Sequence, residues 1–182
     1  MAPAPCLIAT GRHMTGPMGD PSGTRVDLES EPNPQAIHLL EQQLYQFNVE
    51  ATGIADGKLL AAFLRDGDRV VLGGVFGWTW GATCYVRYLF VPADMRRRGH
   101  GSRLMTAVEA EARARGCHQI VLETHDFQAP EFYRKLGFEI TGCVPDYPRG
   151  YQYLTLRKRL AWQRGKGSEL VSMHPRSPGS AG

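Results

Sequence analysis

The 182-residue sequence predicts an α+β fold, and three observations predict it. Residues 83–91 (TCYVRYLFV) are β-branched and aromatic, as in a strand, and lead through a basic, glycine-bearing loop into the alanine-rich run 102–115, a helix. Residues 58–64 and 69–80 read as strands around Arg65-Asp66-Gly67-Asp68, whose Asp-Gly pair marks a hairpin turn. Residues 34–49 repeat Ile37, Leu40, Leu44 and Phe47 at helical spacing.

The elements follow in order. Residues 1–23 are rich in Pro and Gly without periodicity and read as a flexible arm. The alternating run 24–29 (TRVDLE) reads as a first strand. Pro34 suits the first turn of the 34–49 helix, whose apolar stripe is expected in a core. His38, Glu41 and Tyr45 on that helix are candidates for substrate contact. Gly73, Gly74 and Gly77 mark bulges or close approaches in the second hairpin strand. Trp78 and Trp80 share a face, either lining a ligand cleft or covering the sheet. Ser102 suits a helix start and Gly116 a stop. Residues 117–124 form another strand. A short helix begins at Pro130, presents Phe132, Tyr133 and Leu136, and stops at Gly137. Residues 138–144 and 151–156 are strands joined by a turn-rich loop, and the Gly/Ser/Pro-rich end of the chain reads as a tail.

Composition narrows the function. A net charge of +3 does not by itself argue for nucleic acid. Cys6, Cys84, Cys117 and Cys143 are widely spaced, with no C-x-x-C pair, which argues against a zinc site or disulfide framework and fits a reducing cytoplasm. No apolar run approaches the ~18 residues of a membrane span.

The chemistry centres on Arg96-Arg97-Arg98-Gly99-His100-Gly101, followed at once by Ser102. A helix N-terminus offers unpaired N–H groups and the positive end of the helix dipole. Glycine lets an anion approach those groups closely. Strand, basic glycine loop and helix together make a site for a phosphate or pyrophosphate. The alternatives are a solvated face or a nucleic-acid patch, the latter joined by Arg157-Lys158-Arg159. No G-K-[ST] follows, so the loop is not a Walker motif.

Two stretches together resemble the GNAT superfamily of acyl-CoA-dependent N-acetyltransferases. Arg96-x-x-Gly99-x-Gly101 matches the family's R/Q-x-x-G-x-G/A element. Ala129-x-x-Phe132-Tyr133-x-Lys135-x-Gly137-Phe138 matches its A-x-x-F-Y-x-K-x-G-F element. The resemblance covers about residues 24–160, leaving 1–23 as arm and 161–182 as tail. It implies a mixed, mainly antiparallel sheet of about six to seven strands flanked by helices. It also implies a splay between the fourth and fifth strands, residues 83–91 and 117–124. Acetyl-CoA would be the cosubstrate, with no metal. The backbone of Leu89, Phe90 and Val91 would bind the pantetheine arm as an added strand. Arg96, Arg97, Arg98, Gly99, His100, Gly101 and Ser102 would hold the pyrophosphate, chiefly through backbone N–H groups, with Phe132 beside them. Tyr133 would protonate the departing thiolate.

The sequence departs from the family in two places. Asp126 stands where many members carry Asn, and residues 83–91 contain no acid to serve as general base. Glu123, at the end of the strand bordering the cleft, is the first candidate base; Asp126, His125 and Asp146 follow, and a water chain or deprotonation in bulk solvent are the alternatives. Cys84 and Cys117 lack a recognisable His partner and read as buried thiols. The expected reaction is direct acetyl transfer to a primary amine of a small molecule in a ternary complex. An aminoglycoside is the leading acceptor class, within which the chain resembles kasugamycin 2′-N-acetyltransferases. A protein or peptide N-acetyltransferase and a non-catalytic acyl-CoA sensor are the alternatives. No membrane or nucleic-acid partner is expected, and the family allows a homodimer.

Overall fold

The computed structural model describes residues 23–161. All but the last residue of the expected arm and the first of the expected tail lie outside them, as does Cys6. The chain divides into two units, at Phe47 and Asn48.

In the first unit, residues 24–29 form no strand, contrary to their alternating pattern. Period-2 alternation makes a strand only where a neighbour takes up the backbone hydrogen bonds. Helix α1 (Pro34–Thr52) starts in this unit and runs three residues beyond its expected end. Asn33 caps it, its Oδ1 accepting from the Gln35 N–H at 2.9 Å, with Pro34 at the first helical position as expected. Gly53, at φ +71°, closes it by donating to the Val49 carbonyl at 2.7 Å.

The second unit contains one six-stranded sheet. Its strands are β1 (Lys58–Arg65), β2 (Val71–Trp80), β3 (Thr83–Phe90), β4 (Gln119–His125), β5 (Glu139–Pro145) and β6 (Gln152–Arg159). Their order is β1-β2-β3-β4-β6-β5, with β3 and β4 parallel and every other neighbouring pair antiparallel. This is the mixed, mainly antiparallel sheet expected. The parallel pair needs a crossover, and α2 (His100–Ala114) supplies it. The β1–β2 hairpin turns at Asp66, whose Oδ1 accepts from the Asp68 and Val70 N–H groups at 3.0 and 2.8 Å.

The core lies between α2 and one face of the sheet. Leu104, Met105, Val108 and Ala112 of α2 are buried with Val75, Cys84, Val86, Ile120, Leu122, Leu154 and Leu156. Strand alternation then sends Glu123 and His125 of β4, and Tyr153 of β6, to the other face. Lys158 Nζ reaches Glu109 of α2 at 2.5 Å, and Arg113 reaches the same carboxylate at 2.7 Å. Burial pushes the Glu109 carboxyl up, but the two cations outweigh it and hold it below the usual carboxylate range. Part of the basic cluster at the end of β6 is thus committed to tying helix to sheet.

Candidate functional site

The site begins with a bulge. In the β2–β3 ladder Phe76 faces Tyr88 and Gly77 faces Val86, so Arg87 is the extra residue. A Cβ on Gly77 would run into the carbonyl oxygen of Tyr85, and glycine alone permits this approach. The bulge bends β3 and resets its alternation: Cys84 and Val86 face the core before it, Leu89 after it. Pairing with β4 runs only from Thr83 to Val86 against Gln119 to Leu122. Beyond it, among the described residues, Glu123, Thr124 and His125 pair with β6 alone, and Leu89 and Phe90 with β2 alone. A cleft of about 1100 Å³ opens between the two strands. This is the splay expected between residues 83–91 and 117–124.

One end of the cleft is the start of α2. Arg96 Nε donates to the Val91 carbonyl at 2.9 Å, folding the loop back onto the end of β3. Arg97 at φ +60° and Gly99 at φ +81° turn the chain into the helix. Helix α2 therefore begins at His100, two residues before the expected start at Ser102, because Gly99 takes the cap position without a side-chain bond. The first intrahelical bond runs from the Arg103 N–H to the Gly99 carbonyl at 3.0 Å. Among the described residues, the N–H groups of His100, Gly101 and Ser102 meet no acceptor. A Cβ on Gly101 would stand 3.2 Å from the Phe132 ring, so its absence lets the short helix α3 (Pro130–Lys135) lie against this end of α2. Among the described residues, the buried His100 Nδ1 meets no hydrogen-bond partner.

These features fit acetyl-CoA. The bared N–H groups suit a pyrophosphate, and the β3 edge over residues 87–90, free of a strand on the β4 side, suits the amides of a pantetheine arm. Leu89, Phe90, Val91, Arg96, Arg97, Gly99, Gly101, Ser102, Glu123, Phe132 and Tyr133 all line the cleft. Arg98, which is exposed, and His100 do not.

Tyr133 is buried on α3, its ring 5.0 Å from Phe132 and 5.8 Å from Phe138. Burial pushes its phenol up to about 12, so it stays protonated. Glu123 lies across the sheet from Tyr85, whose hydroxyl donates to the Glu123 carboxylate. Burial and that carboxylate raise the Tyr85 phenol. Tyr153 is pushed up to about 12, by burial first and by Glu123 second. Both phenols therefore remain donors toward the carboxylate.

The remaining candidates divide. His125 lines the cleft. Asp126 does not; its N–H donates to the Gln152 carbonyl at 3.0 Å. Asp146 Oδ1 accepts from the Gly150 N–H at 2.6 Å and shapes the β5–β6 turn. Trp78 packs on Tyr85 at 4.6 Å and Trp80 Nε1 donates to the Ile54 carbonyl at 2.9 Å, so neither lines the cleft. Cys84 and Cys117 are buried, and burial pushes the Cys84 thiol up to about 12, which suits no nucleophile. Sequence reasoning missed Tyr85, Phe127, Tyr147 and Tyr153. Alternation along 83–91 signalled the face of Tyr85; the pairing of His125 with Tyr153 depends on the β4–β6 register, which leaves no local signal.

Comparison with known proteins agrees with this fold. Residues 26–138 match the acetyltransferase (GNAT) family model. The chain is 42% identical over 92 residues to a blasticidin-S acetyltransferase of Streptomyces morookaense, covering 48% of this chain and 65% of that protein. It is 32% identical over 126 residues to acetyltransferase Atu2258 of Agrobacterium fabrum, covering 69% and 92%. An acetyltransferase crystal structure from Bacillus cereus superposes with a TM-score of 0.62 at 26% identity, covering 74% of this chain and 98% of that one. The chain belongs to the GNAT family of acetyltransferases, whose acyl donor is acetyl-CoA.

Proposed function

We propose that this protein acetylates a primary amine of a small antibiotic-like molecule by direct transfer from acetyl-CoA. The observation that carries the reading is the meeting, in one cleft, of an unpaired β3 edge, a bared helix N-terminus and the protonated Tyr133. The relationship to a blasticidin-S acetyltransferase supports an antibiotic acceptor. The sequence resemblance keeps the kasugamycin-like aminoglycosides in the acceptor panel.

In this reading the N–H groups of Gly101 and Ser102, both of which line the cleft, hold the pyrophosphate, and the β3 edge aligns the thioester. The amine attacks the thioester carbonyl, and a backbone N–H of Phe90 or Val91 faces the developing oxyanion. Holding both reactants in line supplies much of the acceleration. Tyr133 gives its proton to the leaving thiolate. Glu123, held by the Tyr85 hydroxyl, takes the proton lost by the amine.

The test is release of free CoA thiol with blasticidin S, kasugamycin, other aminoglycosides, polyamines and N-terminal peptides. Turnover on an antibiotic, with mass analysis showing one added acetyl group, is the expected result. Turnover on peptides alone would replace the substrate class, and acetyl-CoA binding without turnover would favour a sensor.

A further inference from the structure

The other end of the cleft is walled by aromatic rings. His125, at the end of β4, lies 5.0 Å from Phe127, 4.9 Å from Tyr153 and 5.7 Å from Tyr147. Tyr147 and Tyr153 stand 5.2 Å apart, and Phe127 meets Tyr151 at 4.9 Å. His125, Phe127, Tyr147 and Tyr153 line the cleft, yet Phe127 and Tyr147 are 53% and 56% exposed. Phe127 and Tyr147 thus touch neighbouring rings and still leave about half their surface open.

Their backbones are fixed. Gln128 Oε1 accepts from both the Thr124 hydroxyl and the His125 N–H at 2.9 Å, bracing the turn that carries Phe127. The Tyr147 N–H donates to the Tyr151 carbonyl at 3.1 Å and the Tyr151 N–H to the Pro148 carbonyl at 2.9 Å, bracing the facing loop. A preorganised aromatic wall favours a ligand with its own π face, because offset and edge-to-face contacts are open to it. An aminocyclitol needs polar partners instead, and the charged or amide side chains lining the cleft nearby are Glu123, Arg87 and Gln128, of which Gln128 is already engaged by Thr124 and His125 and Arg87 approaches the Tyr85 hydroxyl.

We propose that this end of the cleft is a stacking site for a planar heteroaromatic ring, of nucleobase type, carried by the acceptor. The proposal rests on the acetyl-transfer reading and adds the acceptor's chemistry to it. The ring stacks on Phe127 and Tyr147, which directs the attached amine toward Glu123 and the β3 edge.

Cytidine is the probe, titrated into the CoA-saturated protein and followed by its H5 and H6 proton resonances. This binding measurement needs no turnover, so it separates the failure of this proposal from the failure of the acetyl-transfer reading. Upfield ring-current shifts are expected, with affinity falling about tenfold in Phe127→Leu and in Tyr147→Leu and retained in Tyr147→Phe. Both positions are exposed, and the conservative variant guards against a folding defect. Absent shifts, or affinity unchanged in both leucine variants, would overturn the proposal. So would turnover of 2-deoxystreptamine amines with a KM that neither leucine variant alters.

Discussion

Tyr133 shows how one residue's burial sets its chemistry. Its phenol sits against Phe132 and Phe138, and the cost of burying a phenolate pushes it up to about 12. A phenol held neutral is a reservoir for one proton, which in the proposed mechanism passes to the departing thiolate. Tyr133→Phe keeps the ring and removes that proton, so kcat should fall about 10²–10⁴-fold while the KM for acetyl-CoA stays near its original value. Steady-state kinetics on the best acceptor checks this, and a parallel rise in KM would point to packing instead. Tyr85 acts at one remove, by donating to Glu123. Tyr85→Phe should lower kcat and change the pH profile of kcat/KM, with acetyl-CoA affinity unchanged, because Tyr85 does not line the cleft proposed to hold the cofactor.

At the scale of elements, the β3 bulge decides whether a cleft exists. Gly77 permits it, since any Cβ there meets the Tyr85 carbonyl across the ladder. Gly77→Ala should cost about 1–3 kcal/mol of stability, an overpacking penalty, read as a lower urea midpoint. The same variant should weaken acetyl-CoA binding, since Arg87 to Phe90 are displaced with the bulge. The start of α2 is the second deciding element. Its early beginning at His100 bares N–H groups beside Gly101, and the glycine spacing in the sequence already marked that place. What the spacing left open was where the helix begins, because a left-handed Gly99 can cap without any side-chain partner. In the same way, residues 24–29 show the strand alternation but form no strand.

For the whole molecule, ligand and proton binding set the stability curve. Acetyl-CoA at a hundred times its Kd should add about 2.7 kcal/mol, visible as a Tm rise of about 5–10 °C. The acid limb follows from Glu109. Its carboxyl is held low in the fold, so its contribution is present above the usual range and lost as pH falls through the lowered native value. The alkaline limb has the opposite sign. Cys84 and Tyr133, each pushed up to about 12, favour folding fully below their ordinary values, 9.0 and 10.0. Their contribution is lost as pH rises from about 9 to about 12, because the unfolded chain releases those protons first. Urea midpoints across this range should decline, and Cys84→Ala should reduce the slope.

The local patterns of the chain were enough for the hairpin, the strand-loop-helix unit, and the pairing of Arg96-x-x-Gly99-x-Gly101 with the Phe132-Tyr133 stretch. Each depends on residues close together in sequence, where turn chemistry, periodicity and glycine spacing act directly. The carboxylate's company and the aromatic wall came from tertiary structure alone. Tyr85 meets Glu123 across a parallel pair, and His125 meets Tyr153 across β4 and β6, because of register. Register is set by the burial of whole sheet faces and by the bulge at Arg87, which no short stretch of sequence encodes.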